Sequence, residues 1–280
     1  MRKLSLVLAV VAGAALCAAA PAHSAPAVRK YVALGDSYAA TADVTDVYGP
    51  VLCLRSRGSY PNRLVAALAP QTFVDNTCSG AVARELAAKQ FDGLDAQTDL
   101  VTVTMGWNDL DLLGTLGPCL AVSLLETPFT PVGNPCERQF TGTGADTLAA
   151  RVENEARPAV AGALRAIRDR APNAVIVAVN YPSVLPATTA ECGYATGVAR
   201  ADVPYVYRTL RHISVMLLEE AAKLGATTVD ANAVTGHDGC QPAARRWVEP
   251  LISATTTIPL HPNPRGAQAV ADLVRAALDE

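Results

Sequence analysis

The sequence predicts an α/β protein, a three-layer α/β/α sandwich built on a central parallel sheet of about five strands. Three observations lead there. Short apolar runs beginning near residues 30, 72, 99, 174 and 226 read as strands. Helical stretches stand between them, so successive strands join through right-handed crossovers and form a parallel sheet covered on both faces. Three strand ends carry glycine beside a polar residue, at Ser37, Gly80 and Asn108. In an open α/β sheet such ends share one edge, and ligands bind there.

The first strand starts at Lys30 and breaks at Gly35, whose freedom permits a tight turn that lifts Asp36 and Ser37 out of the sheet. A serine so placed is a nucleophile when a base reaches it. A loop runs on to Arg57, and a helix over 62–68 is capped by Ser59 and ended by Pro70. The second strand, 72–75, leads into Asn76-Thr77-Cys78-Ser79-Gly80, and 81–90 is helical. The third strand, 99–105, leads into Gly106-Trp107-Asn108-Asp109. Residues 114–140 are rich in Gly, Pro and Thr and carry no assigned element. A long helix over 145–170 is kinked at Pro158. Then come a strand at 174–179, an irregular excursion at 181–200, a helix at 205–224 and a strand at 226–230. The last helix begins near Pro264, an early position that helices accept, and ends at Leu278.

Composition narrows the function. The chain has 280 residues, half of them hydrophobic, and a formal net charge of −3. Outside the extreme N-terminus there is no run of Lys or Arg, which argues against nucleic acid or anionic membranes as partners. Residues 1–25 read as a secretory signal peptide: Arg2 and Lys3, then an apolar stretch too short for a membrane span, then small residues around Ala22. Nothing divides residues 26–280, which read as a single domain without a stable membrane span. Six cysteines follow the signal, and an even number in an exported chain implies disulfides, with fifteen possible pairings. Metal binding is the competing use, centred on His237-Asp238-Gly239-Cys240, but no second cluster has zinc-ligand spacing, so no metal is expected.

Three histidines follow the signal. His212 falls mid-helix and His237 in a loop, while His261 stands in Leu260-His261-Pro262-Asn263 just before the last helix. His261 is therefore the favoured base and Ser37 the favoured nucleophile, with Gly80 and Asn108 offering a backbone N–H and a side-chain amide. The ordered blocks Gly35-Asp36-Ser37, Gly80, Gly106-Trp107-Asn108-Asp109 and His261-Pro262-Asn263 resemble the SGNH (GDSL) hydrolase family over essentially the whole chain after the signal.

The resemblance implies a lipase or esterase that cleaves carboxylic esters; acyl transfer to water needs no cofactor, and with the signal the expectation is a secreted monomer. Ser37 would attack the carbonyl, and His261 would take its proton and pass it to the leaving alcohol. The N–H groups of Ser37 and Gly80, with the amide of Asn108, would form the oxyanion hole. The cysteine layout resembles that of secreted bacterial members with three sequential disulfides, implying Cys53–Cys78, Cys119–Cys136 and Cys192–Cys240. One position departs from the pattern. The family usually places Asp three residues before the histidine, and here that residue is Ile258. The expectation is a Ser37–His261 dyad with the imidazole oriented by the backbone carbonyl of Ile258, and with Asp36 and Asp109 holding loops through backbone N–H groups. Leu120, Val122, Leu124, Leu125, Phe129 and Val132 would wall an acyl groove or fill the core. Carbohydrate deacetylation, thioester hydrolysis and a non-catalytic binding role on the same scaffold are the alternatives.

Overall fold

A computed structural model describes residues 28–127, 129–188 and 196–279. The signal segment 1–25 and Cys192 lie outside the described residues. The central sheet has five strands: β1 (Lys30–Gly35), β2 (Thr72–Asp75), β3 (Leu100–Thr104), β4 (Val175–Val179) and β5 (Thr227–Val229). Their spatial order is β2-β1-β3-β4-β5, and every pairing is parallel. The order reverses between β1 and β3, and there the strand ends diverge and open a crevice. Gly35 pairs with Thr104, so β1 and β3 finish level with each other at that crevice.

Strand side chains alternate between two cores, as the period of two requires. Val32, Leu34, Val101, Val103 and Ile176 enter one core, which helices Arg157–Arg170 and Val203–Ala222 cover. Tyr31, Ala33, Leu100, Val177 and Val179 enter the other, covered by Tyr60–Leu68 and Pro264–Leu278. The last helix buries Gly266, Ala267, Val270, Ala271 and Val274, a stripe with the three- and four-residue steps of one helical face. Thr102 and Thr104 are buried among these apolar groups, and their hydroxyls meet those of Tyr31 at 2.7 Å and Tyr60 at 3.1 Å. Both are thereby kept from being unpaired polar groups in a dry interior.

Two segments differ from the sequence reading. Residues 114–140 hold two helices, Leu112–Ser123 and Pro135–Thr141, joined by the Cys119–Cys136 disulfide. Leu116, Cys119 and Ser123 form a buried face at helical spacing, which two glycines and Pro118 disguise in the sequence. The predicted helix over 145–170 is continuous, and a π-helical turn, Val152–Ala156, separates Thr147–Arg151 from Arg157–Arg170. Arg157 N–H bonds back to the carbonyl of Val152, five residues earlier, immediately before Pro158. The wider turn accommodates a ring that has no N–H and would crowd the carbonyl of residue i−4. A second disulfide joins Cys53 to Cys78, and Cys240 is also disulfide-bonded.

Gly35 carries the exit of β1. Its φ of +136° lies where only glycine is comfortable, and a Cβ there would stand 2.5 Å from the carbonyl oxygen of Thr104. The buried amide of Gln90 brackets it, accepting from Gly35 N–H at 2.8 Å and donating to Gly35 C=O at 2.9 Å. Gly35→Ala is expected to destabilise the protein by about 2 kcal/mol or more, through backbone strain and steric overlap together. Urea unfolding of the purified variant measures it, and a midpoint unchanged from wild type would contradict this account of the turn.

Candidate active site

Beyond Gly35 the chain turns at Asp36 into the short helix Ser37–Ala40. The Asp36 carboxylate caps that helix, accepting from Tyr38 N–H at 2.9 Å, while its other oxygen accepts from the Tyr181 hydroxyl at 2.6 Å. The Tyr181 oxygen in turn accepts from Trp107 N–H at 3.2 Å. One carboxyl group thus ties the exits of β1, β3 and β4. Asp36 is buried, and desolvation pushes its pKa up to about 7 despite the hydrogen bonds from Tyr181 and Tyr38 that favour the anion. Asp109 holds the neighbouring turn, with both carboxylate oxygens 3.0 Å from Ala83 N–H.

His261 arrives from the far end of the chain on a segment paired with residues 247–249. Leu260 N–H bonds to the Glu249 carbonyl at 2.9 Å, Glu249 N–H to the His261 carbonyl at 3.0 Å, and Asn263 N–H to the Trp247 carbonyl at 2.8 Å. Asn263 then caps the last helix by accepting from Gly266 N–H at 3.0 Å, and donates to Glu249 at 2.8 Å. Leu260 has a φ of +63°, unusual for a side chain of its size. The hydroxyl of Tyr38 donates to its carbonyl, so the residue after Ser37 holds the residue before His261.

These two segments bring Nε2 of His261 to 2.8 Å from Oγ of Ser37. Nδ1 of the same ring lies 2.9 Å from the carbonyl oxygen of Pro259. The expected acceptor, the carbonyl of Ile258, instead takes the backbone N–H of His261 at 3.1 Å. The chain turns at Leu260, whose φ is +63°, and it is the nearer carbonyl, two residues back, that faces Nδ1. Burial lowers the pKa of His261 below its ordinary 6.5, and the bond to Pro259 offsets this only partly. The other described histidines face elsewhere: His212 bonds Glu153, and His237 stacks on Trp247 with Nδ1 facing the carbonyl of Arg245.

Ser37, Gly80, Asn108 and His261 all line one cleft of about 720 Å³. Gly80 has a φ of +77° and open space where a Cβ would stand. Asn108 anchors its amide by donating to the Ala81 carbonyl at 3.0 Å, which leaves its second N–H free to point into the cleft. Among the described residues the N–H groups of Ser37 and Gly80 have no protein acceptor. Leu112, Leu113, Leu116, Leu120 and Leu124 line the same cleft. Of the six side chains expected to wall a groove, Leu120 and Leu124 do so; Val122, Leu125 and Phe129 are exposed, and Val132 is half-buried outside the cleft lining. Among the described residues no group of three or more His, Cys, Asp or Glu side chains is arranged to hold a metal ion, and no helix is long and apolar enough to cross a membrane.

Tyr181 and Tyr38 were not singled out by the sequence reading. Tyr181 directly follows Asn180 at the exit of β4, the same edge that holds Ser37 and Asn108, but no glycine stands there to mark that exit in the sequence.

The sequence matches the family model of GDSL-like lipases and acylhydrolases over residues 33–269. The chain belongs to that family and is a carboxylic ester hydrolase of the lipase/esterase class. It is 36% identical to Lipase 2 of Streptomyces coelicolor, covering 91% of this chain and 87% of the relative, and 31% identical to Lipase 1 of the same organism, covering 84% and 82%. Among solved structures, the extracellular lipase of Streptomyces rimosus aligns with a TM-score of 0.73 at 25% identity, over 89% of this chain and 99% of the other. Phospholipase A1 from Streptomyces albidoflavus has the same fold, with a TM-score of 0.73 at 24% identity, over 90% of this chain and 100% of the other.

The raised pKa of Asp36 has a consequence for stability. Between the ordinary value of 3.8 and about 7 the folded protein keeps a proton that the unfolded chain has released. Stability contributed by this group is therefore greatest in acid and falls as pH rises through that window. Asp36→Asn is neutral at every pH. Wild type should lose stability relative to Asp36→Asn between about pH 4 and pH 7 in urea titrations, and parallel curves across that range would refute the shift.

Proposed function

We propose that the protein is a secreted hydrolase of acyl and lipid esters, working as a monomer through a Ser37–His261 dyad. One observation carries this reading. Oγ of Ser37 stands 2.8 Å from Nε2 of His261 while Nδ1 faces a carbonyl oxygen. A carbonyl can only accept, so Nδ1 carries the proton and Nε2 presents its lone pair to the serine hydroxyl. As Oγ attacks the ester carbonyl, its proton passes to Nε2 and the carbonyl π electrons move onto oxygen. The N–H groups of Ser37 and Gly80 and the amide of Asn108 hold that oxyanion. Collapse expels the alcohol, which takes the proton from Nε2, and leaves an acyl-enzyme. Water then attacks the acyl-enzyme, again deprotonated by His261, and releases the acid and free Ser37. The Pro259 carbonyl, being neutral, stabilises the imidazolium less than a carboxylate would, and the desolvated ring keeps Nε2 unprotonated at neutral pH.

Several observations favour a lipid substrate. The cleft continues from Ser37 along a leucine-lined wall, and it has the size of a small-molecule site. One structural neighbour is described as a phospholipase A1, and another, together with the Streptomyces coelicolor sequence relative, as a lipase. Secretion is supported by the N-terminal 1–25 segment, by the disulfides, and by the description of the Streptomyces rimosus lipase as extracellular.

The test is a fluorophosphonate probe together with p-nitrophenyl esters of increasing chain length. The probe should label wild type and not Ser37→Ala, and Ser37→Ala should lose about 10⁴-fold or more in turnover. Asp230→Asn, Asp238→Asn and Glu249→Gln should each keep turnover per folded molecule within about tenfold. Their carboxylates bind Arg211, Cys240 N–H and Arg246 respectively. Undiminished labelling of Ser37→Ala would overturn the nucleophile, and collapse of one acid variant would restore a side-chain triad. In wild type, kcat/KM should rise along an acid limb centred below 6.5 and then level off, because His261 acts only when neutral. A limb centred above that value would contradict the burial of the ring.

A further inference from the structure

The surface around the mouth of the cleft is unusual for a protein in water. From residue 112 to residue 125 the chain has no Asp, Glu, Lys or Arg. The helix Leu112–Ser123 nonetheless lies at the surface: Leu113 is 80% exposed, and Val122, Leu124 and Leu125 are exposed around it. A surface helix ordinarily turns a charged face to solvent, and this one offers leucine on that side.

Two other segments continue the apolar rim. Val51 and Leu52, the latter 87% exposed, sit on the turn Val51–Cys53, two residues before the cleft-lining Leu54. That turn is rigidly placed: the Cys53–Cys78 disulfide and the bond from Ser79 N–H to the Cys53 carbonyl at 3.0 Å fix it beside Gly80. On the loop that leads to His261, Ile252 is exposed and follows Leu251, which lines the cleft. Three segments far apart in sequence thus place bare aliphatic side chains beside cleft-lining neighbours. Isolated exposed leucines need no explanation, but exposed aliphatic side chains next to cleft-lining residues on three separate segments mark an interaction site.

We propose that this rim docks on a lipid surface of no net charge, with the cleft mouth held against the layer from which the ester is drawn. The inference rests on the reading of the cleft as an acyl site. It goes further by assigning a second binding role to residues that do not line the reacting centre. Apolar continuity with the cleft selects a lipid surface as the occupant, since the same leucine-bearing helix lines the cleft and reaches the rim. The lack of charge on that helix and the absence of any basic run select zwitterionic or neutral lipid over anionic lipid.

The test uses vesicles of phosphatidylcholine, the full chain, and the triple variant Leu52→Ser, Leu125→Ser, Ile252→Ser, with Leu52→Ser alone as a second, milder variant. None of the three side chains lines the cleft. Wild type and Ser37→Ala should co-sediment with the vesicles equally. The triple variant should partition at least about tenfold less, and Leu52→Ser should fall between. Turnover of a dissolved short-chain ester should stay within about twofold of wild type in both rim variants, which also reports that they fold. Wild type that hydrolyses the dissolved ester but stays in the supernatant would overturn the docking and leave the hydrolase reading intact. Vesicle binding without ester turnover would do the reverse. Equal partitioning of the triple variant, binding that requires phosphatidylglycerol, or a wild-type dimer that the triple variant dissociates would each overturn the proposal, the last by assigning the rim to a second copy of the chain.

Discussion

Three strand exits end on one buried carboxyl group. Asp36 caps the helix that begins with Ser37 and receives the Tyr181 hydroxyl, which in turn receives the amide of Trp107 beside Asn108. A parallel sheet brings its strand ends to a common edge but does not set them to within a few tenths of an ångström. A short network of hydrogen bonds in a dry interior does so, because each bond is strengthened by the low local polarity and each loss would leave a buried group unsatisfied. The same burial that makes the network stiff makes it unfavourable for Asp36 to be charged.

The histidine is held by different means. Its segment contributes no strand to the central sheet, and its position depends on backbone pairing with residues 247–249, on the Asn263 cap of the last helix, and on the Tyr38 hydroxyl. Tyr38 connects the two halves of the site. It follows Ser37 in sequence, its hydroxyl reaches the carbonyl of Leu260, and its ring packs within 5.0 Å of those of His261 and Tyr181. Leu260 has a positive φ, and the Pro259 carbonyl just before it faces Nδ1 of the ring.

The α/β class, the five strands and the edge that gathers Ser37, Gly80, Asn108 and His261 were legible in the sequence, because apolar runs that break at glycine leave a plain record. The helix Leu112–Ser123 was not, since Gly114, Gly117 and Pro118 mimic a loop while Leu116, Cys119 and Ser123 supply the buried face. The acceptor for Nδ1 was misplaced by one residue. Reading Ile258 from the family spacing assumes that a carbonyl replaces a carboxylate at the same position, whereas a carbonyl lies on the chain itself and the tight turn at Leu260 brings Pro259 instead. Tyr181 leaves no such record, because β4 ends in Val179-Asn180-Tyr181 without the glycine that marks the exits of β1, β2 and β3.

The bonds between Glu249 and residues 260–261 close residues 250–259 into a loop at its base. Leu251, Ile258 and Pro259 of that loop form part of the cleft wall. Its two ends are fixed by backbone pairing, and Thr256 and Thr257 are tied to Val44 N–H and the Ala42 carbonyl, so the room to vary in sequence or length at modest entropic cost falls on residues 250–255. Such an arrangement lets one part of the cleft wall change without moving His261, and it offers a natural segment for grafting between relatives.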